Sequence, residues 1–167
     1  VTLAAFGATF GGANVDPGTR FLLEHVGRVW TPSGDPSREG DDPSPPGRAV
    51  DVGCGNGTVA AYLALRFARE GSAAVAGPMV VATDDSADAC AATQLTAQLN
   101  SVENLIEVRR DDALASFPEA SEDTLILNPP FHSGNSVDSR VAMRLFAESA
   151  RVLRPGGELW CVWNSHL

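Results

Sequence analysis

The sequence predicts an α/β fold, a mostly parallel sheet with helices on both faces. Three observations predict it. Short apolar runs of strand length alternate with segments whose apolar residues recur at helical spacing. A glycine-rich turn, Gly53-Cys54-Gly55-Asn56-Gly57, joins the first such strand to the helix after it. Acidic or polar residues follow the strands, and the carboxyl ends of strands are where open sheets receive ligands.

In chain order, residues 1–30 are expected to form an N-terminal capping segment. Phe6, Phe10, Phe21, Leu22 and Leu23 surround a Gly-rich centre, Asp16-Pro17-Gly18 is a turn signal, and a short helix is expected over 19–29. The segment packs on the sheet, or acts as a flap over a ligand. Residues 31–48 are rich in Pro, Ser, Gly and Asp with almost nothing to bury, so a loop with no chemistry is expected. The βα alternation then occupies 49–167. Strands are expected at 49–53, 79–84, 105–108, 124–127 and 158–163. Between them, one helix covers 57–70, with Val59, Leu63 and Phe67 on one face. A second is capped by Ser86 and stops near Asn100, and a third runs over 137–153 until Pro155-Gly156-Gly157 ends it.

Composition narrows the function classes. The 167 residues suffice for one domain with a real core, and no apolar run reaches the ~18 residues of a membrane span. Val1–Phe6 lacks the basic lead-in of a secretory signal. Cys54, Cys90 and Cys161 are scattered, which argues against a disulfide framework or zinc site and fits a reducing, cytoplasmic setting; Cys54 reads as a small filler of the turn. The three His residues have no metal-ligand spacing, so no metal is expected. Net charge is −9 and all 12 basic residues are Arg. That acidity opposes non-specific binding to nucleic acid, whose affinity comes largely from phosphate neutralisation.

Two stretches carry chemistry. The turn after the first strand has the spacing G-x-G-x-G with Asp51 two residues ahead. The dinucleotide fingerprint needs G-x-G-x-x-G, and position 58 is Thr. Asp51 would add negative charge near a pyrophosphate and suits a ligand bearing positive charge. Asp84 ends the second strand, where an acid can accept both ribose hydroxyls of an adenosine; its alternative role is helix N-terminal charge. After the third strand, Asp112, in preference to Asp111, can accept from an adenine amino group. The second stretch is Asn128-Pro129-Pro130-Phe131, after the fourth strand. Prolines stiffen the turn. Asn128 Oδ1 and the Pro129 carbonyl can accept both N–H bonds of a planar amine, turning its lone pair toward a methyl donor, while Phe131 stacks on the ring. Catalysis is then mostly positioning.

The first stretch resembles motif I of the class I S-adenosylmethionine (SAM) methyltransferases, and Asn-Pro-Pro-Phe resembles the signature of amino-group methyltransferases acting on bases or on glutamine. Adding Ala13-Asn14-Val15, the run Gly18–Leu23, His132 and Asn164-Ser165-His166-Leu167, nearly the whole chain resembles the bacterial ribosomal RNA guanine-N2 methyltransferases. That resemblance implies a Rossmann-like fold lacking its last strands, in a segment of a longer protein. It implies that Gly53, Gly55, Gly57 and Asp84 hold SAM, which leaves as S-adenosylhomocysteine, and that Asn128 to Phe131 hold guanine; the reading of the residues adds Asp51, Asp112 and Asn128 on the cofactor side. Asn128, Pro129 and Phe131 would be catalytic, with Pro130, His132, Arg140 and Arg144 on the substrate side. The expected partner is ribosomal RNA or a ribosomal subunit, with no membrane. A protein-glutamine or adenine-N6 methyltransferase, or a catalytically silent interaction module, are the alternatives. His132 orders its loop or contacts a phosphate. Arg140, Arg144, Arg151 and Arg154 fall on one helical stripe, which reads as a solvated face or a phosphate track.

Overall fold

A computed structural model of the protein describes residues 1–7, 9, 12, 14–29, 48–69, 77–129, 132–133, 136–137 and 139–163. Five strands, β1 (Ala49–Val52), β2 (Val80–Asp84), β3 (Ile106–Arg110), β4 (Glu122–Leu127) and β7 (Leu153–Cys161), form one sheet in the order β3-β2-β1-β4-β7. Every neighbouring pair is parallel. The order reverses direction between β1 and β4, so a crevice opens at the carboxyl ends of those two strands. The central strands are buried on both faces, which is why Ala49-Val50 of β1 and Leu125–Leu127 of β4 are apolar at successive positions rather than alternating.

Helices α1 (Pro17–Val29), α2 (Thr58–Arg69) and α3 (Ala87–Leu99) serve one side of the sheet. Leu22, Leu23 and Val26 of α1 pack with Val59, Leu63 and Phe67 of α2 over Ala49, Val80, Ala82 and Ile126. On the other face, Leu145 and Val152 of α4 (Ser139–Val152) join Leu114 and Phe117 over Val50, Val52, Val81, Leu125 and Leu127. Alternation of side chains along each strand assigns the two sets to opposite faces.

Local chemistry sets the element ends. Asp16 caps α1 by accepting the Thr19 N–H at 2.9 Å, and Pro17 occupies the first helical position. Ser86 caps α3 through the Ala89 N–H. Several expected limits move. The third strand extends to Arg110, and the fourth begins at Glu122. The last helix starts at Ser139, because Ser136–Val137 (β6) pairs antiparallel with His132–Ser133 (β5). The last strand begins at Leu153 rather than at residue 158, directly after the helix. Its register shifts between Glu122 and Thr124, which absorbs Pro155-Gly156-Gly157; Gly156 has φ +83° there.

Of the Pro-rich connector only Arg48 lies within the described residues, and it has a structural role. Its guanidinium makes a two-point contact with Glu122, which is only 2% exposed, and Nε donates to Oε2 at 3.0 Å. A buried carboxylate needs such a partner. The rest of 31–48 lies outside the described residues.

Candidate active site at the β1–β4 switch point

The glycine turn is held by its backbone geometry and its neighbours. Gly53 has φ +73°, and a methyl group there would meet nothing within 4 Å, so its backbone faces open space. Gly55, with φ +54°, donates its N–H to Asp84 Oδ2 at 3.0 Å, while Asp84 Oδ1 takes the Ser86 N–H at 2.9 Å. Asp84 therefore bridges the turn after β1 and the start of α3. Burial raises its carboxyl above the usual range.

Asp51 projects toward α2 and accepts the Ala60 N–H at 3.0 Å. It is 3% exposed, and burial pushes its carboxyl up to about 7, against the backbone hydrogen bond and with help from the nearby Asp84 charge. Burial also pushes the Cys54 thiol up, and Thr93 Oγ1 donates to its sulfur, consistent with a filler and not a nucleophile.

Two hollows meet at this turn. A small one, about 30 Å³, is lined by Asp16, Thr19, Asp51, Gly53, Gly55 and Asn128 among others. A larger one, about 270 Å³, lies over Val52, Gly53, Asp84, Asp112, Ala113, Asn128 and Leu145. Gly53 and Asn128 border both. Asn128 follows β4, and its Nδ2 donates to Asp16 Oδ2 at 2.9 Å and to Thr19 Oγ1 at 3.0 Å. Pro129 beside it is buried. Thus the turn carrying the acid and glycines faces the turn carrying Asn128 across one crevice.

The profile of the methyltransferase small domain matches residues 1–167. The chain belongs to that family. Among relatives of this small domain, the ribosomal RNA large subunit methyltransferase G of Streptomyces coelicolor is 38% identical over 92% of this chain and 35% of its own length. Its counterpart of the same name in Vibrio cholerae is 30% identical over 100% of this chain and 39% of its own. The ribosomal RNA small subunit methyltransferase C of Chromohalobacter salexigens is 36% identical over 100% and 43%. The small domain thus spans well under half the length of these relatives. Among solved structures, a precorrin-8W decarboxylase from Methanobacterium thermoautotrophicum aligns with TM-score 0.59 at 18% identity, over 93% of this chain and 66% of its own. A SAM-dependent methyltransferase from Methanosarcina mazei aligns with TM-score 0.54 at 24% identity, over 72% and 55%. At such identities these show the shared Rossmann-like fold.

Three of the expected site residues also meet partners within the chain. Gly57, expected at the cofactor, has φ +76°, and an added methyl would lie 2.9 Å from Thr93 Cα. It serves the close approach of α3 to the turn, and it borders neither hollow. Asp112 and Arg144, expected on the cofactor and substrate sides, pair with each other: Arg144 Nη1 and Nη2 donate to the two Asp112 oxygens at 2.9 Å each. The pair sits exposed at the rim of the larger hollow, where such a contact contributes little and can open.

Two members of the arginine stripe are engaged within the chain. Arg151 donates to the carbonyls of Phe117 and Leu114 and pairs with Glu148, and Arg154, which lies in β7, donates to the Ala120 carbonyl and pairs with Asp123. They clamp the end of α4 to the loop after β3. Arg140 is exposed near the start of α4. Pro130, Phe131 and the His132 side chain lie outside the described residues.

Sequence reasoning missed Asp16, Thr19 and Asn56. Asn56 Nδ2 donates to the carbonyls of Gly12 and Asn14 at 2.8 and 3.1 Å, tying the glycine turn to the N-terminal segment. Asp16-Pro17-Gly18 reads locally as a turn; only the fold brings it to Asn128, 112 residues away in sequence. Among the described residues no His, Cys, Asp or Glu group could hold a metal ion, and no helix is long and apolar enough to cross a membrane.

Proposed function

We propose that this small domain binds SAM in the crevice at β1 and β4, and that the protein carrying it methylates guanine N2 in ribosomal RNA. The observation that carries this reading is the shared wall of the two hollows, where Gly53 of the donor-side turn and Asn128 of the acceptor-side turn meet. SAM would supply an electrophilic methyl group on a sulfonium. The residues present fit it. Asp84, half-buried at the end of β2, borders the larger hollow and can accept from ribose hydroxyls. Val52, Ala113 and Leu145 supply apolar walls for an adenine ring. Asp51, in the small hollow, suits an ammonium group, whose charge would lower the Asp51 carboxyl from its raised value.

On the acceptor side, Asn128 Oδ1 and the Pro129 carbonyl accept the two N–H bonds of the exocyclic amine. That holds the nitrogen lone pair toward the methyl carbon. With SAM bound, its sulfonium methyl would be the electrophile for that lone pair, the sulfur would leave as the thioether of S-adenosylhomocysteine, and the amine proton would pass to solvent. No strong base is required, and the protein's contribution is orientation. Phe131, Pro130 and His132 remain proposed substrate contacts by resemblance, in a cytoplasmic enzyme.

The names of the relatives support ribosomal RNA as the acceptor. The test uses labelled SAM and ribosomal subunits from a strain lacking the methylation, followed by mapping of the modified base. Label at guanine N2 is expected. Label on adenine N6 or on a protein glutamine, or none at all, would overturn the acceptor assignment.

A further inference from the structure

We infer that Asp16 and Thr19 are positioning residues for methyl transfer, which lock the side-chain amide of Asn128 with its oxygen toward the acceptor amine. The inference rests on the proposed role of Asn128. Amide oxygen and nitrogen are nearly the same size, so an asparagine turned end for end fits the same space. The reaction tolerates only one orientation. Oδ1 toward the amine accepts an N–H; Nδ2 there would set donor against donor.

The surroundings decide the orientation. Asp16 Oδ2 lies 2.9 Å from Asn128 Nδ2, and an ionised carboxylate only accepts, so the NH₂ end must face it. Thr19 Oγ1 takes the second N–H at 3.0 Å. With both donors of Asn128 engaged by α1, Oδ1 is the atom left for a ligand, and Asn128 borders the larger hollow. Gly18 adds a steric reason for the arrangement: a methyl group there would lie 3.0 Å from Asp16 Oδ2 and 3.7 Å from Asn128 Nδ2.

Asp16 is itself held from two sides. It caps α1 through the Thr19 N–H, and α1 is anchored in the core by Leu22, Leu23 and Val26. The chain before it is laced to α3 and the glycine turn. Thr2 and Asn100 exchange hydrogen bonds of 2.9 and 2.7 Å, the Ala4 N–H donates to Thr96 Oγ1, and Thr96 Oγ1 donates to the Asn56 carbonyl. Asn56 then holds the Gly12 and Asn14 carbonyls. The same turn that meets the methyl donor therefore also fixes the residue that orients the acceptor group.

The experiment separates this role from helix capping. Asn caps a helix as well as Asp does. Asp16→Asn should therefore keep the unfolding temperature, yet its own NH₂ can pair with Asn128 Oδ1 and permit the wrong orientation. In the protein that carries this chain, with RNA and SAM saturating, turnover of Asp16→Asn should fall about tenfold, the scale of one orienting hydrogen bond. Thr19→Val should fall similarly, and Thr19→Ser should restore the rate. In an Asn128→Ala background, Asp16→Asn should have no further effect in single-turnover measurements. Without RNA, the Asn128 side-chain amide resonances should exchange faster with water in Asp16→Asn. Wild-type turnover in Asp16→Asn, an equal loss in the Asn128→Ala background, or unchanged amide exchange each overturns the inference. Wild-type turnover in Asn128→Ala alone would instead sink the amine-accepting role of Asn128, while the amide exchange still reports whether Asp16 holds it.

Discussion

At the scale of single residues, Asp51 carries a pH signature. Its carboxyl is raised to about 7 in the folded chain against 3.8 ordinarily, mainly by burial. The native state thus holds a proton that the unfolded state releases. Its contribution to stability is fully present below about pH 3.8 and is lost as pH rises through about 7. Thermal unfolding of the ligand-free chain between pH 5 and 8 should show a lower midpoint at the alkaline end, and Asp51→Asn should flatten that slope. An identical slope in the variant would remove Asp51 as its source. The glycines separate just as sharply. Gly57→Ala combines a left-handed backbone with a methyl pressed on Thr93, and should cost about 3 kcal/mol in denaturant unfolding. Gly53→Ala meets no neighbour, so only backbone strain of about 1 kcal/mol is expected. Gly53→Ala intrudes instead on the crevice, and calorimetry should show weakened SAM binding; unchanged affinity would argue against the site.

At the scale of elements, the N-terminal segment and α1 are tied to the glycine turn and not merely laid upon the sheet. Asn56→Ala removes the donor to the Gly12 and Asn14 carbonyls and the acceptor that Thr58 uses through its N–H and Oγ1. Loss of such part-buried bonds should lower stability by about 1–3 kcal/mol. Hydrogen exchange should quicken at the start of α1 before it quickens in β1 or β4, because the sheet keeps its own ladder. Uniform acceleration across the chain would show that the segment is not separately tethered. At the other margin, β7 is the outermost strand on its side of the sheet among the described residues, and Trp163 just beyond it is 62% exposed.

At the scale of the whole molecule, charge and acceptor pull in opposite directions. The chain carries −9, and Arg144, Arg151 and Arg154 are engaged with its own acids and carbonyls. The 167-residue chain alone should bind SAM yet methylate free RNA poorly, with a rate that falls steeply as salt rises. The check is a side-by-side assay of this chain and the longer protein at low and moderate salt, on ribosomal RNA and on subunits. Equal rates at moderate salt would show that the acidic surface is no obstacle.

What the sequence alone determined was local. The order of strands and helices, the Asp51–Gly57 turn, the acid at Asp84 and the Asn128-Pro129 pair are each written in a few consecutive residues, because period, glycine and proline act over one turn of chain. Side-chain partnerships over long separations were not legible. Nothing near Asp112 announces Arg144, nothing near Gly57 announces Thr93, and Asp16 reads as a turn residue until the fold brings it to Asn128. The arginine stripe shows the same limit: helical spacing placed four arginines along one line, but the clamp that Arg151 and Arg154 form was set by the loop after β3 folding back on α4. Tertiary structure decided which way Asn128 faces, because a side chain with two nearly equivalent ends takes its direction from what is packed beside it.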